Sequence, residues 1–486
     1  MIPDYFYRYI LILFLFLFIT PVHSKAVQTV IQGKALSYAG EKLVFLTYSD
    51  MISFSEKAVA SCTVSDSGEF ECITEFEDIR LLFLRLGVYN CVFYVEPGLI
   101  YQLQLPQKRE KTEAEKMNPY FEDISIHLGA KPVGSTNGRP VPGEREELNL
   151  LIRSFNDAFH PFYYKYVVNA YINEVNQQEI KEAIQTITEP FADVTHPFFK
   201  KYMEYRLGLL NHYGAQQSSS KIIADYFNRK SVLCYNPAYM ELFNEIFYEY
   251  FDAFKTEFPE SNLLYTINRE INLNKLVTQF QKENAFTNDT LLEMVLIKNL
   301  YEYFFKDEYS KPAILILMDS LSTKTNITLH KSIIAYIKHD ITKLLTGSEP
   351  PAFKLYDKDS TLIGLDNFRD RYVYLAFCNS YSYYCIREYE LLKDLNSRHS
   401  NHLSIVTILV DDNYQSMRDL LKANNYNWTF LHFSLQPDII REYEVKAYPT
   451  YYLIGPDGKL LASPAPSPLE GFEEYLFKTM RARGDI

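Results

Sequence analysis

Residues 374–385 read YLAFCNSYSYYC, and this stretch decides the fold of the C-terminal part of the chain. It begins inside the apolar run RYVYLAF (371–377), which has the length and composition of a buried strand. Asn379, Ser380 and Ser382 then break the run. IREYELLKDLNSRH (386–399) follows, with apolar residues at helical spacing. The stretch is a strand that turns into a helix, with Cys378 at the strand end and Cys385 at the helix start.

The alternation continues downstream. LSIVTILVDD (403–412) reads as a strand, SMRDLLKANN (416–425) as a helix and WTFLHF (428–433) as a short strand. DIIREYEV (438–445) reads as a helix. TYYLIGPDGKLLAS (450–463) is a hairpin around a Gly-Pro-Asp-Gly turn, and LEGFEEYLFKTMRA (469–482) closes as a helix. Such an order gives an α/β or α+β sandwich over 350–486, set off by the linker Gly347-Ser-Glu-Pro-Pro351.

At this point a family resemblance becomes specific. YLAFCNSYSYYC resembles the active-site strand, loop and helix start of TlpA/ResA-type thioredoxins, which read F-W-A-S-W-C-G-P-C. Aligned without a gap, Ser382 falls on the first cysteine and Cys385 on the second. VKAYPTYYLIGPDGKL (445–460) is similar to the family's V-x-x-x-P-T-x-x-L-I-D-x-D-G-K, with Pro449 at the cis-proline position. The resemblance implies a thioredoxin fold and a groove for extended substrate chain beside Tyr448, Pro449 and Thr450. It also implies thiol–disulfide exchange, for which the motif is degenerate.

The chemistry explains what is lost. A thiol at a helix N-terminus loses its proton easily because that end favours negative charge. The thiolate attacks a disulfide, and a second, more buried thiol resolves the mixed disulfide. Here the attacker's place is held by Ser382, a hydroxyl that needs an adjacent general base to act as a nucleophile. None of His399, His402 and His432 is placed by sequence as that base, and no G-x-S-x-G surrounds Ser382. Ser382 reads as a helix N-cap. Ala376 stands near the place of a buried proton acceptor in the family, and Tyr383-Tyr384 is bulky between the key positions. Three readings stay open for Cys385: an inert buried thiol, a bridge to Cys378, or a monothiol forming mixed disulfides.

Upstream the pattern differs. Between 25 and 130 lie short strands, LVFLTY (43–48), KAVASCTV (57–64), EFECITEF (69–76), LLFLRL (81–86), CVFYV (91–95) and YQLQL (101–105), forming a mainly antiparallel β domain. A three-residue loop at Asp66-Ser67-Gly68 makes Cys62 and Cys72 direct cross-strand neighbours, at a separation a disulfide spans. Two free thiols, or a pairing with Cys91, are the alternatives. From about 144 to 345 the period becomes helical, with roughly seven helices broken at prolines and at 216–220. Its aromatic stripes read as core. The order of parts is similar to three-part envelope proteins of Bacteroidetes, whose N-terminal β domain is of the DUF4369 type. The expected architecture is multi-domain α+β: an N-terminal antiparallel β domain, a central helical segment and a C-terminal thioredoxin fold.

The chain has 486 residues and a formal net charge of −12. No Lys/Arg cluster appears, which argues against nucleic-acid binding. Arg8 precedes the apolar run YILILFLFLFI (9–19), and Val22 and Ser24 follow, as in a secretory signal peptide cleaved after Ser24. Residues 1–24 are thus expected to be removed, leaving no spanning helix in the mature form. Export to the periplasm or cell envelope permits disulfides. Asn288, Asn326 and Asn427 begin sequons that carry no meaning in a bacterium. No metal motif and no cofactor is expected; Asp411-Asp412-Asn413 reads as a helix-starting turn and Arg483-Gly484-Asp485 as a chance tripeptide. Two functions remain. One is a redox-inactive binding or structural module for extended segments of other envelope proteins. The other is a thiol–disulfide oxidoreductase working through Cys385, alone or with Cys378.

Overall fold

Strict alternation of buried and exposed residues in Glu69–Phe76 marks a strand with one face on a core, and the rest of the N-terminal architecture follows from it. The computed structural model describes residues 26–112, 115, 121–168, 177–214, 217–284, 286, 288–411, 413–433 and 439–486. The proposed signal segment, Asp412 and residue 216 lie outside them. The chain divides into two compact units, one reaching Glu115 and running again from Glu122 to Ile334, the other chiefly Ala335–Ile486.

In the first unit, β1 (Val27–Lys34), β4 (Glu69–Phe76), β7 (Leu99–Gln104) and β9 (Gly129–Ser135) form a sheet of order β4-β1-β7-β9. A second sheet has the order β3-β2-β5-β6-β8, from β2 (Lys42–Tyr48), β3 (Glu56–Thr63), β5 (Arg80–Leu86), β6 (Tyr89–Val95) and β8 (Ile124–His127). Ile31, Phe70 and Tyr101 from one sheet pack with Leu43, Phe45 and Phe93 from the other in a single core. Two pairings are parallel, β1 with β7 and β6 with β8; the others are antiparallel. β1, β8 and β9 add to the strands read from sequence, and β9 carries the β region to Ser135. Pro132 stands on β9, an edge strand with an irregular register, where a missing N–H is tolerated.

Cys62 and Cys72 are joined by a disulfide, with Cα atoms 5.4 Å apart. The loop is as the sequence predicts: Ser65 N donates to Glu69 O at 2.8 Å, and Gly68 has φ 83°. The ladder does not continue, however. Cys62 on β3 pairs with Leu43 on β2, while Cys72 on β4 pairs with Ile31 on β1. The expectation of direct ladder neighbours is corrected: each strand leaves the loop for a different sheet, where seven residues of β3 pair with β2 and eight of β4 pair with β1. The disulfide clamps the two sheets together.

The same unit continues in helices: α1 (Leu148–Tyr163), α2 (Gln177–Thr188), α3 (Pro197–Leu209), α4 (Pro237–Ile246), α5 (Tyr250–Glu257), α6 (Leu273–Asn284), α7 (Asp289–Tyr303) and α8 (Lys311–Lys324), followed by α9 (Thr328–Thr342). Pro197 and Pro237 begin helices, capped by His196 and Asn236. The aromatic stripes are core: Phe227 packs against Tyr205, Tyr239, Phe243 and Phe247 with ring centroids 5.3–6.2 Å apart.

The second unit is built on a seven-stranded sheet of order β11-β10-β14-β13-β12-β15-β16. Its strands are β10 (Lys354–Asp357), β11 (Leu362–Gly364), β12 (Tyr372–Cys378), β13 (Leu403–Leu409), β14 (Thr429–His432), β15 (Thr450–Ile454) and β16 (Leu460–Ala462). The helices are α10 (Tyr383–His399), α11 (Tyr414–Asn424), α12 (Ile439–Glu442) and α13 (Phe472–Arg483). β12 lies inside the sheet, parallel to β13 and antiparallel to β15, and all of its residues are buried. One face packs under α10 and α13 through Tyr374, Tyr389, Leu392, Phe472 and Leu476. The other packs on Val373, Leu375, Phe377, Tyr443 and Tyr452. Among the described residues, no helix is long and apolar enough to cross a bilayer.

Closing the short Cys62–Cys72 loop removes chain entropy from the unfolded state, a contribution of roughly 2.5–3 kcal/mol. Reducing the bond in the folded protein is expected to lower the denaturation midpoint of the N-terminal unit. Cys62→Ala/Cys72→Ala is expected to show the same loss and no further response to reductant, measured by urea titration.

Candidate functional site

The site begins where β12 runs out. Val410 N donates to Cys378 O at 2.8 Å, the last ladder bond before the loop. Two buried side chains then fix the loop: Asp411 Oδ1 accepts from Ser380 N at 2.9 Å, and Asn379 Oδ1 accepts from Ser382 N at 2.7 Å. Ser382 has extended backbone (φ −70°, ψ 121°), and its Oγ accepts from Cys385 N at 3.4 Å. Ser382 O then accepts from Ile386 N at 3.0 Å, the first bond of α10. Ser382 therefore sits at the helix start as an N-cap.

Cys378 and Cys385 meet beneath this cap. Both are free thiols with zero exposure, packed in one core with Tyr374, Tyr389 and Tyr451. The Cys378 thiol hydrogen-bonds to Cys385 and is the largest influence holding the Cys385 pKa below its ordinary value. Burial opposes it, while the Asn379 backbone and the Ser382 hydroxyl assist. Burial, followed by the bond to Cys385, pushes Cys378 well above the ordinary thiol range. The two thiols are thus shifted in opposite directions, Cys385 down at the helix start and Cys378 up in the core.

Sequence reasoning missed Glu388. It lies one turn beyond Cys385, buried, and its Oε2 accepts from Tyr451 Oη at 2.5 Å. A carboxylate three residues after Cys385 falls on the same helix face, and that spacing was the available signal. The buried acidic group near the thiols therefore comes from the helix and not from position 376, where Ala376 pairs with Tyr451 across the sheet. Tyr374 stacks on Tyr451 (4.8 Å) and Phe472 (3.5 Å), which locks this layer.

The outer surface is aromatic. Tyr383 and Tyr384 are 71% and 63% exposed, with ring centroids 5.7 Å apart, and Tyr381 is also exposed. The Tyr448–Pro449 peptide is cis, and Tyr448, Pro449 and Thr450 are half-buried. Thr450 starts β15 opposite Phe377, with its Oγ1 donating to Ala447 O at 2.6 Å. Burial, with Tyr381 and both thiols nearby, raises the Tyr448 pKa. Ser382, both cysteines and the Tyr448–Thr450 segment thus share one neighbourhood, whereas Cys62 and Cys72 belong to the β sheets. Among the described residues, no group of three or more His, Cys, Asp or Glu could hold a metal ion.

Strand, capped helix and cis-proline hairpin make the C-terminal unit a thioredoxin-like domain. The family described as Thioredoxin-like matches residues 370–460. The chain is 27% identical over 138 residues to the thiol-disulfide oxidoreductase ResA of Bacillus thuringiensis subsp. konkukian, covering 28% of this chain and 79% of that protein. ResA of Bacillus cereus is 26% identical over the same coverage. Similar solved structures include the thioredoxin domain of a thiol-disulfide oxidoreductase from Bacteroides vulgatus (21% identity, 28% of this chain and 99% of that one, TM-score 0.26). A thiol-disulfide oxidoreductase from Bacteroides fragilis is 24% identical, over 26% of this chain and 99% of that one, with TM-score 0.25.

Removing the cap oxygen leaves Cys385 N without its acceptor. Ser382→Ala is expected to destabilise the C-terminal domain by about 1 kcal/mol, and Ser382→Asp, which keeps a capping oxygen, by much less. Chemical denaturation followed by tryptophan fluorescence reads this directly, since Trp428 lies in this domain.

Proposed function

We propose that this protein is an exported envelope protein whose thioredoxin-like domain binds extended polypeptide without exchanging disulfides. The observation that carries the reading is the exchange of roles at the helix start. The accessible cap position holds an alcohol, and both thiols of the domain have zero exposure. Disulfide exchange needs an attacking thiolate that can reach its target in line. A hydroxyl needs an adjacent general base to take that part, and the Ser382 Oγ instead accepts from Cys385 N as a helix cap.

The binding surface in this reading is the half-buried Tyr448–Thr450 segment with the exposed rings of Tyr381, Tyr383 and Tyr384 beside it. Aromatic rings with polar tips suit the side chains of an extended segment. Export rests on the apolar run at 9–19 with its flanks, and the Cys62–Cys72 disulfide supports an oxidising compartment. A DUF4369-like identity for the β region and a Bacteroidetes-type envelope belong to the same proposal.

The hydrogen bond between Cys378 and Cys385 favours a second reading, that of an exchanger. In it the Cys385 thiolate attacks a substrate disulfide, expelling one thiolate. Cys378 then attacks the mixed disulfide, releasing the second thiol and leaving a Cys378–Cys385 bond. This requires the helix start to open far enough to expose Cys385.

Insulin reduction separates the two. The mature protein is expected to reduce insulin at the uncatalysed rate, and Cys385→Ala is expected to change nothing. Ser382→Cys restores an attacker above Cys385 and is expected to create activity. Activity in the parent protein that Cys385→Ala abolishes would establish the exchanger instead.

A further inference from the structure

Within the N-terminal unit lies a cavity of about 930 Å³, inside the size range of sites for small organic ligands. Its wall joins Glu96 after β6, the segment Arg139–Gly143, and the residues that lead into α3 and α4. This site is independent of the thioredoxin-like domain.

Two groups on the wall are buried and each lacks one partner. Glu96 is 1% exposed. Its Oε2 accepts from Arg139 and from His196 Nε2, the latter at 3.3 Å, while Oε1 has no partner. His196 Nδ1 accepts from Phe199 N at 3.4 Å, so the ring proton sits on Nε2 and is given to Glu96. Asn236 is 3% exposed. Its Oδ1 caps α4, accepting from Ala238 N at 3.1 Å and Tyr239 N at 3.2 Å, while Nδ2 has no acceptor. Buried polar groups are normally paired, so each of these calls for its complement. Glu96 Oε1 needs a donor, and Asn236 Nδ2 needs an acceptor.

The charge of the wall decides the class of ligand. Asp78, Glu96 and Glu146 stand against Arg139 and Lys201, a balance of one negative charge. The N-termini of α3 and α4 also reach the wall, each equivalent to roughly half a positive charge, and together they offset it. The cavity therefore favours neither an anion nor a cation. Phe198 and Leu233 make the remaining surface apolar.

We propose that this cavity binds an uncharged apolar peptide segment through one amide unit. The amide N–H is given to Glu96 Oε1, and the amide C=O accepts from Asn236 Nδ2. The apolar side chains lie against Phe198 and Leu233.

The test is isothermal titration of the mature full-length protein with N-acetyl-leucyl-leucinamide. Saturable binding is expected, weakened at least about tenfold when the probe carries a free amine or a free carboxylate. Asn236→Asp keeps a capping oxygen but removes the donor, and is expected to weaken binding by at least about tenfold. Leu233→Arg fills the cavity without touching the cap, and is expected to abolish binding. No saturable binding of the neutral probe up to about 10 mM overturns the proposal. So does tighter binding of the free carboxylate, or unchanged binding in either variant.

Discussion

The first turn of a helix has backbone N–H groups that no residue of that helix can satisfy, and at α10 this requirement organises the site. The Ser382 hydroxyl meets it at Cys385 N, while Asn379 and Asp411 hold the approach to the helix through Ser382 N and Ser380 N. The same electrostatic end of a helix that stabilises a thiolate also accepts a neutral oxygen. The choice of atom at one position therefore separates a reactive site from a structural one. With oxygen there, the helix start is capped by a hydroxyl and not by a thiol.

The sulfurs are arranged accordingly. The Cys385 pKa is lowered and the Cys378 pKa raised, yet both thiols lie in the core between β12 and α10. Burial keeps large disulfide substrates away from them. Glu388 and Tyr451 close the layer with a hydrogen bond of their own. What remains at the surface is ring and hydroxyl from Tyr381, Tyr383 and Tyr384, with the cis Tyr448–Pro449 peptide nearby. In the proposed function this surface holds extended chain.

Much of this was legible in the sequence, and the limits have physical reasons. Strand β12, the long helices and the hairpin around Gly455–Gly458 were readable because each is a continuous periodic run. The cap role of Ser382 followed from a turn residue placed just before such a run. β1 and β9 were not read, because Gln, Thr, Gly and Pro132 dilute their alternation. The Cys62–Cys72 bond was legible from the loop at Gly68, but not the divergence of its strands. A ladder partner distant in sequence outcompetes the neighbour across the turn, and local pattern does not encode that. Glu388 was missed for a similar reason: its place beside Tyr451 depends on the packing of α10 on the sheet.

The N-terminal unit answers to the same accounting of polar groups. Its core is closed by apolar rings and a disulfide, and its cavity is marked by the groups that the fold leaves incompletely paired. In the thioredoxin-like domain both thiols are sealed in the core. The direct measurement is the rate at which Cys378 and Cys385 react with a chromogenic disulfide reagent in the native mature protein, with sites assigned by mass spectrometry. Neither is expected to be labelled until denaturant unfolds the domain. Stoichiometric labelling of Cys385 in native protein, at the rate of an exposed thiol, would show the site to be open.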